Sequence, residues 1–277
     1  MSLTPTLRLP GGLVEHGVRQ RGCAFQPLSG ALELALAEQI ERAADTPGAV
    51  TAALSLALAH LGGTPASPAR VDALCVADRQ FLMRELAQHL GDEQARGPRW
   101  LHSLCGHCAA RFDFALEPAL LPVVEAPAGF PEAEVRGDDG QLLRFRLPVG
   151  ADLPELARQP DAELRRWLLH RLSLAPHALP QDPHGMDRLA ERVEAALEDI
   201  APAIVLQVQA QCPECGAACV VDLEPYGALQ RRTNDLLQEV HQLAWHYHWS
   251  EAQILALPRA RRQRYLQLID RGRGLGD

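Results

Sequence analysis

Two pairs of cysteines have the spacing of a metal site. Cys105-Gly-His-Cys108 and Cys212-Pro-Glu-Cys215-Gly each place two thiols three residues apart. In the second pair, proline fixes φ and glycine permits a left-handed residue, so the chain turns tightly and directs both thiols to one point. A tetrahedral zinc ion takes four ligands, and thiolates are among those it prefers. The two pairs therefore predict one structural Zn²⁺ site with the ligands Cys105, Cys108, Cys212 and Cys215.

The same cysteines allow two other interpretations. Cys-Gly-His-Cys is also the tetrapeptide of disulfide isomerases, so thiol–disulfide exchange is an alternative, as are four buried thiols without a metal. A redox motif opens a helix after a buried strand. Here Cys108 is followed by RFDF, whose alternation predicts a strand. The odd count of seven cysteines also argues against a disulfide framework and for a reducing compartment.

The other cysteines and two nearby histidines are weaker ligand candidates. Cys219 is expected to pack inward on a strand, and His102 and His107 are expected to form hydrogen bonds or face solvent. Cys23 and Cys75 lie within apolar patterns, which predicts buried structural thiols.

No catalytic constellation accompanies these residues. The chain contains no G-x-x-x-x-G-K-[ST], G-x-S-x-G or H-E-x-x-H motif, and no H-x-E of the zinc deaminases. Four thiolates would also close the metal to water, which is typical of a structural site. The sequence therefore predicts a protein that is not an enzyme.

The elements around the cysteine pairs occur twice in the same order. Turn signals at residues 15–17 and 137–140 each predict a β-hairpin that leads into a helix, and Asp152 is the predicted N-cap of the second helix. A longer amphipathic helix then precedes each cysteine pair, and a short strand follows it. We interpret this order as a duplication. The predicted fold is α+β, with two related halves that share the zinc site and a C-terminal helical extension.

Breaks in periodicity divide the chain. The predicted units are a first half at 1–125, a second half at 126–235 and a C-terminal helical segment at 236–277. They meet near EAPAGFP, where proline and glycine interrupt the pattern, and a flexible link is predicted at 62–68.

Composition and charge limit the classes of partner. Hydrophobic residues make up 47% of the 277 residues, enough for a real core. No apolar run reaches the roughly 18 residues of a membrane span, and the start does not resemble a signal peptide. We therefore expect a soluble, cytoplasmic protein without a membrane partner. The net charge of −8 opposes a phosphate backbone, so nucleic acid is an unfavoured partner.

The C-terminal segment predicts three helices with an exposed docking face. Ser250 and Gln253 form a capping-box signal for the middle helix, and Pro258 precedes the last one. Tryptophan, tyrosine and arginine are enriched at binding hot spots. A solvated basic face and nucleic-acid binding remain alternatives to protein docking. The predicted partner-binding residues are Trp245, Tyr247, Trp249, Arg261, Arg262 and Tyr265.

Several of these motifs together resemble a known family. VADRQFLMRELAQHLG, RFDF after the first cysteine pair, RFRLPVGADL, CPECG before VVDL, and LLQEVHQLAWHYHWSEAQILALPRARRQRYLQLID are similar to the T4-type phage baseplate hub assembly chaperones. The resemblance runs from about Val76 to the end. It implies a non-enzymatic assembly chaperone or minor baseplate component of contractile tails and phage-derived injection systems. Its partners would be hub and spike proteins, in the bacterial cytoplasm or on the virion or injection particle. The alternatives are a zinc-containing nucleic-acid-binding regulator and a thiol–disulfide oxidoreductase.

Overall fold

The computed structural model describes residues 6–91, 99–117, 120–230, 233–272 and 274. Helices are interspersed with antiparallel strand pairs, so the fold is α+β, as predicted. Within the described residues, no helix is both long and apolar enough to cross a membrane.

The first part of the chain folds a four-stranded antiparallel sheet and four helices around one core. The predicted turn at 15–17 joins the first two strands, with His16 at φ 51° and Gly17 at φ 74°. The core consists mainly of leucine, valine and phenylalanine side chains from both the sheet and the helices. Its elements are β1 (Leu7–Glu15), β2 (Val18–Phe25), α1 (Gly30–Arg42), α2 (Thr46–Ala57), β3 (Leu58–Leu61), β4 (Thr64–Pro65), α3 (Pro68–Asp72) and α4 (Val76–Leu90).

The segment at 62–68 is ordered, so the prediction of a flexible link is wrong. Gly62 and Gly63 adopt φ of 62° and 80° in the tight turn between β3 and β4. The Ser67 hydroxyl accepts a hydrogen bond from the Arg70 N–H at 3.4 Å and caps α3. The residues typical of a linker are here turn and cap residues, because both roles favour the same residue types.

The second core lies between a hairpin and two helices. The predicted turn at 137–140 joins the two strands of this hairpin, and Phe145 on the hairpin and Leu189 on a helix are both fully buried in this core. The helices and strands between residues 99 and 222 are β5 (Arg99–Leu104), β6 (Arg111–Leu116), β7 (Val123–Val124), β8 (Glu132–Arg136), β9 (Leu142–Arg146), α5 (Leu153–Leu156), α6 (Asp161–Leu172), α7 (Pro183–Ile200), β10 (Ala203–Ile204), β11 (Gln207–Gln211) and β12 (Ala218–Asp222).

Asp152 is the N-cap residue of α5, as predicted, but its side chain accepts no capping hydrogen bond from that helix. A turn of 3-10 helix precedes α5, and the Asp152 carboxylate closes that turn by accepting the Val149 N–H at 2.9 Å. The carboxylate is also paired with Arg146 at 2.6 Å and Arg171 at 2.7 Å. Both guanidinium groups pair with it at the same time, so it is the buried centre of an ion-pair network.

Long-range contacts connect the first core to later parts of the chain. β7 pairs with β10, so residues 123–124 and 203–204 form one two-stranded sheet. Tyr226 and Leu229 pack against the first core, although about 140 residues separate them from α4 (Val76–Leu90) along the chain. The first core is therefore completed by residues from beyond the second cysteine pair.

The last three helices form a third core that is tied to α1. The predicted capping box is present, because Ser250 and Gln253 exchange hydrogen bonds at the start of the middle helix. Leu243, Ile254 and Ile269 are buried at the centre of this core, and Leu34 from α1 packs against it. The helices are α8 (Thr233–Tyr247), α9 (Glu251–Leu255) and α10 (Arg259–Gly272).

Candidate metal centre

The first cysteine pair lies in a tight turn between β5 and β6. The Cys105 N–H donates to the Ala110 carbonyl at 2.9 Å, and the Ala109 N–H donates to the Cys105 carbonyl at 2.9 Å. Ala109 has φ 57°, in the left-handed region that favours glycine. These two hydrogen bonds close the turn and place both thiols on the same side of it.

The second cysteine pair adopts the same turn between β11 and β12. The Cys212 N–H donates to the Ala217 carbonyl at 2.9 Å, and the Gly216 N–H donates to the Cys212 carbonyl at 2.9 Å. Gly216 has φ 71° and occupies the position that Ala109 holds in the first turn. Each turn is therefore a cysteine knuckle built from equivalent hydrogen bonds.

The two knuckles face each other and bring the four sulfur atoms together. Cys105 Sγ lies 3.7 Å from Cys215 Sγ, and Cys108 Sγ lies 3.7 Å from Cys212 Sγ. All four sulfur atoms lie within 4.8 Å of one another. A tetrahedral ion with metal–sulfur bonds of about 2.3 Å separates its ligand sulfurs by about 3.8 Å. The cysteines thus lie close enough together to hold a metal ion such as zinc.

The pKa values of the clustered thiols are also consistent with binding of a metal cation. Backbone N–H groups of Cys108 and His107 favour the Cys105 thiolate and lower its pKa to about 6. The Ala217 N–H favours the Cys215 thiolate, but desolvation and the neighbouring thiols outweigh it and raise the pKa of Cys215 to about 12. Like charges this close cannot all form without compensation. A bound divalent cation supplies that compensation, so the donor set fits a metal that binds thiolates.

The weaker ligand candidates lie outside the four-sulfur group. Cys219 is buried on β12, with its Sγ 3.7 Å from the Ala217 carbonyl oxygen, as predicted. His102 is exposed on β5 and contacts Asp113 through Nδ1 at 2.5 Å. The exposed His107 contributes its backbone N–H to Cys105 Sγ at 3.4 Å.

The surroundings of the knuckles differ from those of a redox motif. Each cysteine pair connects two strands, as the alternation after Cys108 predicted, and neither opens a helix. Helix N-termini activate thiolates in redox motifs, and that source of activation is not present at either pair.

Cys23 and Cys75 are buried thiols, as predicted. Their exposed fractions are 0% and 5%. Desolvation raises the pKa of Cys23 to about 12 and that of Cys75 well above its ordinary value. Both are therefore protonated core side chains.

The predicted docking residues occupy three different environments. Trp245 is 71% exposed, and Arg261 is also exposed. Tyr247, Trp249 and Tyr265 are half-buried and pack on one another, with ring centroids 4.8–5.3 Å apart. The prediction that Arg262 lies on an exposed face is wrong, because its side chain is fully buried.

Arg262 belongs to a buried network that the sequence analysis missed. Its Nη2 lies 2.8 Å from Glu33 Oε1, its Nη1 donates to the Leu257 carbonyl at 2.8 Å, and its Nε lies 3.4 Å from Glu239. A signal was available: Arg262 precedes the buried Leu266 and Ile269 by four and seven residues, so it shares their helix face. The network ties α10 to α1.

No protein-family model, curated protein or solved structure matches this chain. The resemblance described above rests on the motifs quoted with it.

Proposed function

We propose that Cys105, Cys108, Cys212 and Cys215 hold one structural zinc ion that joins two related halves of the chain. The observation that carries this proposal is the pair of equivalent knuckles, whose sulfur atoms approach the tetrahedral spacing. Both knuckles would contribute two ligands, in keeping with the repeated order of hairpin, helices and knuckle.

The small core beneath the knuckles supports a stabilising role for the metal. Among the described residues, its buried members are four, and two of them are proposed ligands (Cys105, Phe112, Cys212 and Cys219). A two-stranded hairpin alone is marginally stable in water. Zinc binding in small domains is worth on the order of 10–16 kcal/mol at neutral pH. The metal would therefore contribute more than the apolar contacts that surround it.

Native mass spectrometry of the purified protein tests the shared site. We expect one zinc ion per chain. Cys212→Ser should lose the metal, and the free energy of unfolding of both halves should fall in this variant. Cys219→Ser is the matched control, since this thiol is buried beside the site without being a proposed ligand. Zero or two zinc ions per chain, or equal metal loss in both variants, would reject the proposal.

We further propose that the protein is a non-enzymatic assembly chaperone or minor baseplate component of a contractile tail or injection system, and that it binds hub or spike subunits. The family resemblance of the sequence motifs supports this assignment. The observation that supports a binding role is a row on α8: Leu237, His241 and Trp245 are exposed at intervals of four residues. Tryptophan is one of the residue types enriched at binding hot spots.

Co-expression with the hub and spike proteins of the same gene cluster tests this function. We expect the tagged protein to capture a hub or spike subunit, and we expect Trp245→Ala to abolish capture. Trp100→Ala is the matched control, because Trp100 is 68% exposed on β5, far along the chain from α8. Arg261→Glu should slow association by weakening charge steering. A parallel gel shift with DNA at physiological salt tests the alternative function, a nucleic-acid-binding regulator. Tight DNA binding without a captured tail protein would favour that regulator over the chaperone.

A further inference from the structure

An apolar groove runs between α6 and α7. Its floor consists of Leu169, Leu172, Ala190, Val193 and Leu197, all of which are buried. Its volume is about 270 Å³. Small-molecule pockets usually measure roughly 300–1,000 Å³ and offer several polar groups. The size and lining of this groove suit a few apolar side chains of a protein segment better than a cofactor.

One flank of the groove carries a row of acidic side chains on α7. At about 100° per residue, Asp187, Glu191, Glu194 and Glu198 fall within a sector of about 60°, next to Ala190 and Leu197. All four are exposed. Glu194 pairs with Arg165 of α6 across the groove at 3.0 Å. Among the described residues, the other three carboxylates have no ion-pair partner.

We propose that this groove binds an amphipathic helix of a partner protein that carries arginine or lysine along one flank. Apolar residues spaced three and four apart would enter the groove, as in other helix-in-groove interfaces. Basic residues on that flank would face Asp187, Glu191 and Glu198. This inference goes beyond the proposed function, since it holds whatever assembly the partner belongs to.

Charge favours another protein over a second copy of this chain. A net charge of −8 repels a second copy and attracts a basic partner. The competing occupant is nevertheless present in the chain itself: α10 exposes Arg261, Arg264, Leu268 and Arg271 on one face. The experiment therefore has to distinguish these two occupants.

Binding of synthetic helices to the full-length protein tests the proposal. The probe is a peptide of about 14 residues, roughly four turns, with leucine on one face and arginine on its flank. Three analogues accompany it: one with glutamate for arginine, one with serine for leucine, and one with the same composition scrambled. Calorimetry measures each affinity, and sedimentation of the protein alone measures self-association.

Adjacent residues of α7 provide a matched pair of variants. Glu198→Arg reverses a charge in the acidic row, whereas Asp199→Arg makes the same change about 100° away on an exposed position. Of the four peptides, we expect only the one with leucine and arginine to bind. Glu198→Arg should weaken it several-fold, Glu191→Arg with Glu198→Arg should weaken it by about tenfold or more, and Asp199→Arg should leave it unchanged.

Four outcomes would overturn the inference. They are no binding of the leucine–arginine peptide, equal binding of the serine or scrambled analogue, equal weakening by Glu198→Arg and Asp199→Arg, and self-association of the protein that Glu198→Arg dissolves. The last outcome would assign the groove to a second copy.

Discussion

The buried ion pair between Arg262 and Glu33 leads to a quantitative prediction about the C-terminal helices. Arg262 is 0% exposed and Glu33 is 4% exposed. Packing around the guanidinium is tight, since a Cβ added at Gly30 would lie 2.7 Å from its Nη1. Arg262→Met keeps an unbranched apolar stem but removes the charged guanidinium, so the Glu33 carboxylate loses a cation 2.8 Å away while staying buried.

Removing one partner of a buried ion pair costs about 3–5 kcal/mol. With a urea slope of about 3 kcal/mol per M, the midpoint of unfolding should fall by about 1–2 M. Glu33→Leu combined with Arg262→Met should lose less stability than Arg262→Met alone, because the buried Glu33 charge is then removed together with its partner. Charge reversal at Arg262 should therefore destabilise the fold before it affects any partner.

Urea unfolding followed by tryptophan fluorescence measures this effect, since Trp245 and Trp249 report on the C-terminal helices. Arg261→Met is the matched control: the two arginines are neighbours, but Arg261 is exposed. Surface changes usually remain within about 0.5 kcal/mol. The reasoning is refuted if the two variants unfold at the same urea concentration, or if the double variant is less stable than Arg262→Met.

Three further predictions concern the knuckles and the second core. Ala109→Gly should raise the thermal stability of the metal-loaded protein by about 1 kcal/mol, because a left-handed alanine is strained, and Gly216→Ala should lower it in the same calorimetric assay. Burial alone would raise the pKa of Asp152, but hydrogen bonds from Arg146 and its other donors lower it; its stabilisation should be present above about pH 4 and lost as the pH falls further, and urea midpoints of Asp152→Asn should lack this acid dependence. The zinc-loaded protein should show no turnover in a disulfide-reduction assay, and turnover that disappears in Cys105→Ser would establish the redox alternative.

The cysteine turns could be predicted from the sequence because their signals are local. Two intervening residues fix the separation of the thiols, and proline and glycine set the backbone of the second turn. The hairpin turn at Gly137 and the capping box at Ser250 could be predicted for the same reason, because each depends on four or five consecutive residues. Ala109 shows the limit, because nothing in its residue type indicates a left-handed φ. Only the equivalence of its position to that of Gly216 in the second knuckle does.

Features that depend on contacts between distant parts of the chain could not be predicted from the sequence. Val123–Val124 and Ala203–Ile204 are short apolar pairs whose partnership has no local signal. Asp152 is at a sound N-cap position, but Arg146 and Arg171 reach it through the folded second core and change its role. The segment at 62–68 differs from its prediction for another reason, since linkers, tight turns and helix caps favour the same residue types.

Helix faces, more than the overall composition, determine where charge is available for binding in this protein. On α10, Arg261, Arg264 and Arg271 face solvent while Arg262 is buried on the face shared with Leu266. On α7, one flank is acidic, and on the other side Arg188 and Arg192 are engaged by the Asp138 carboxylate. The net charge of −8 averages over these faces and would hide both a basic and an acidic surface. A partner with both basic and acidic elements would therefore contact α7 and α10 separately. Charge reversal of the acidic row on α7 should alter the salt dependence of the α7 contact only, and charge reversal of the exposed arginines on α10 should alter that of the α10 contact only.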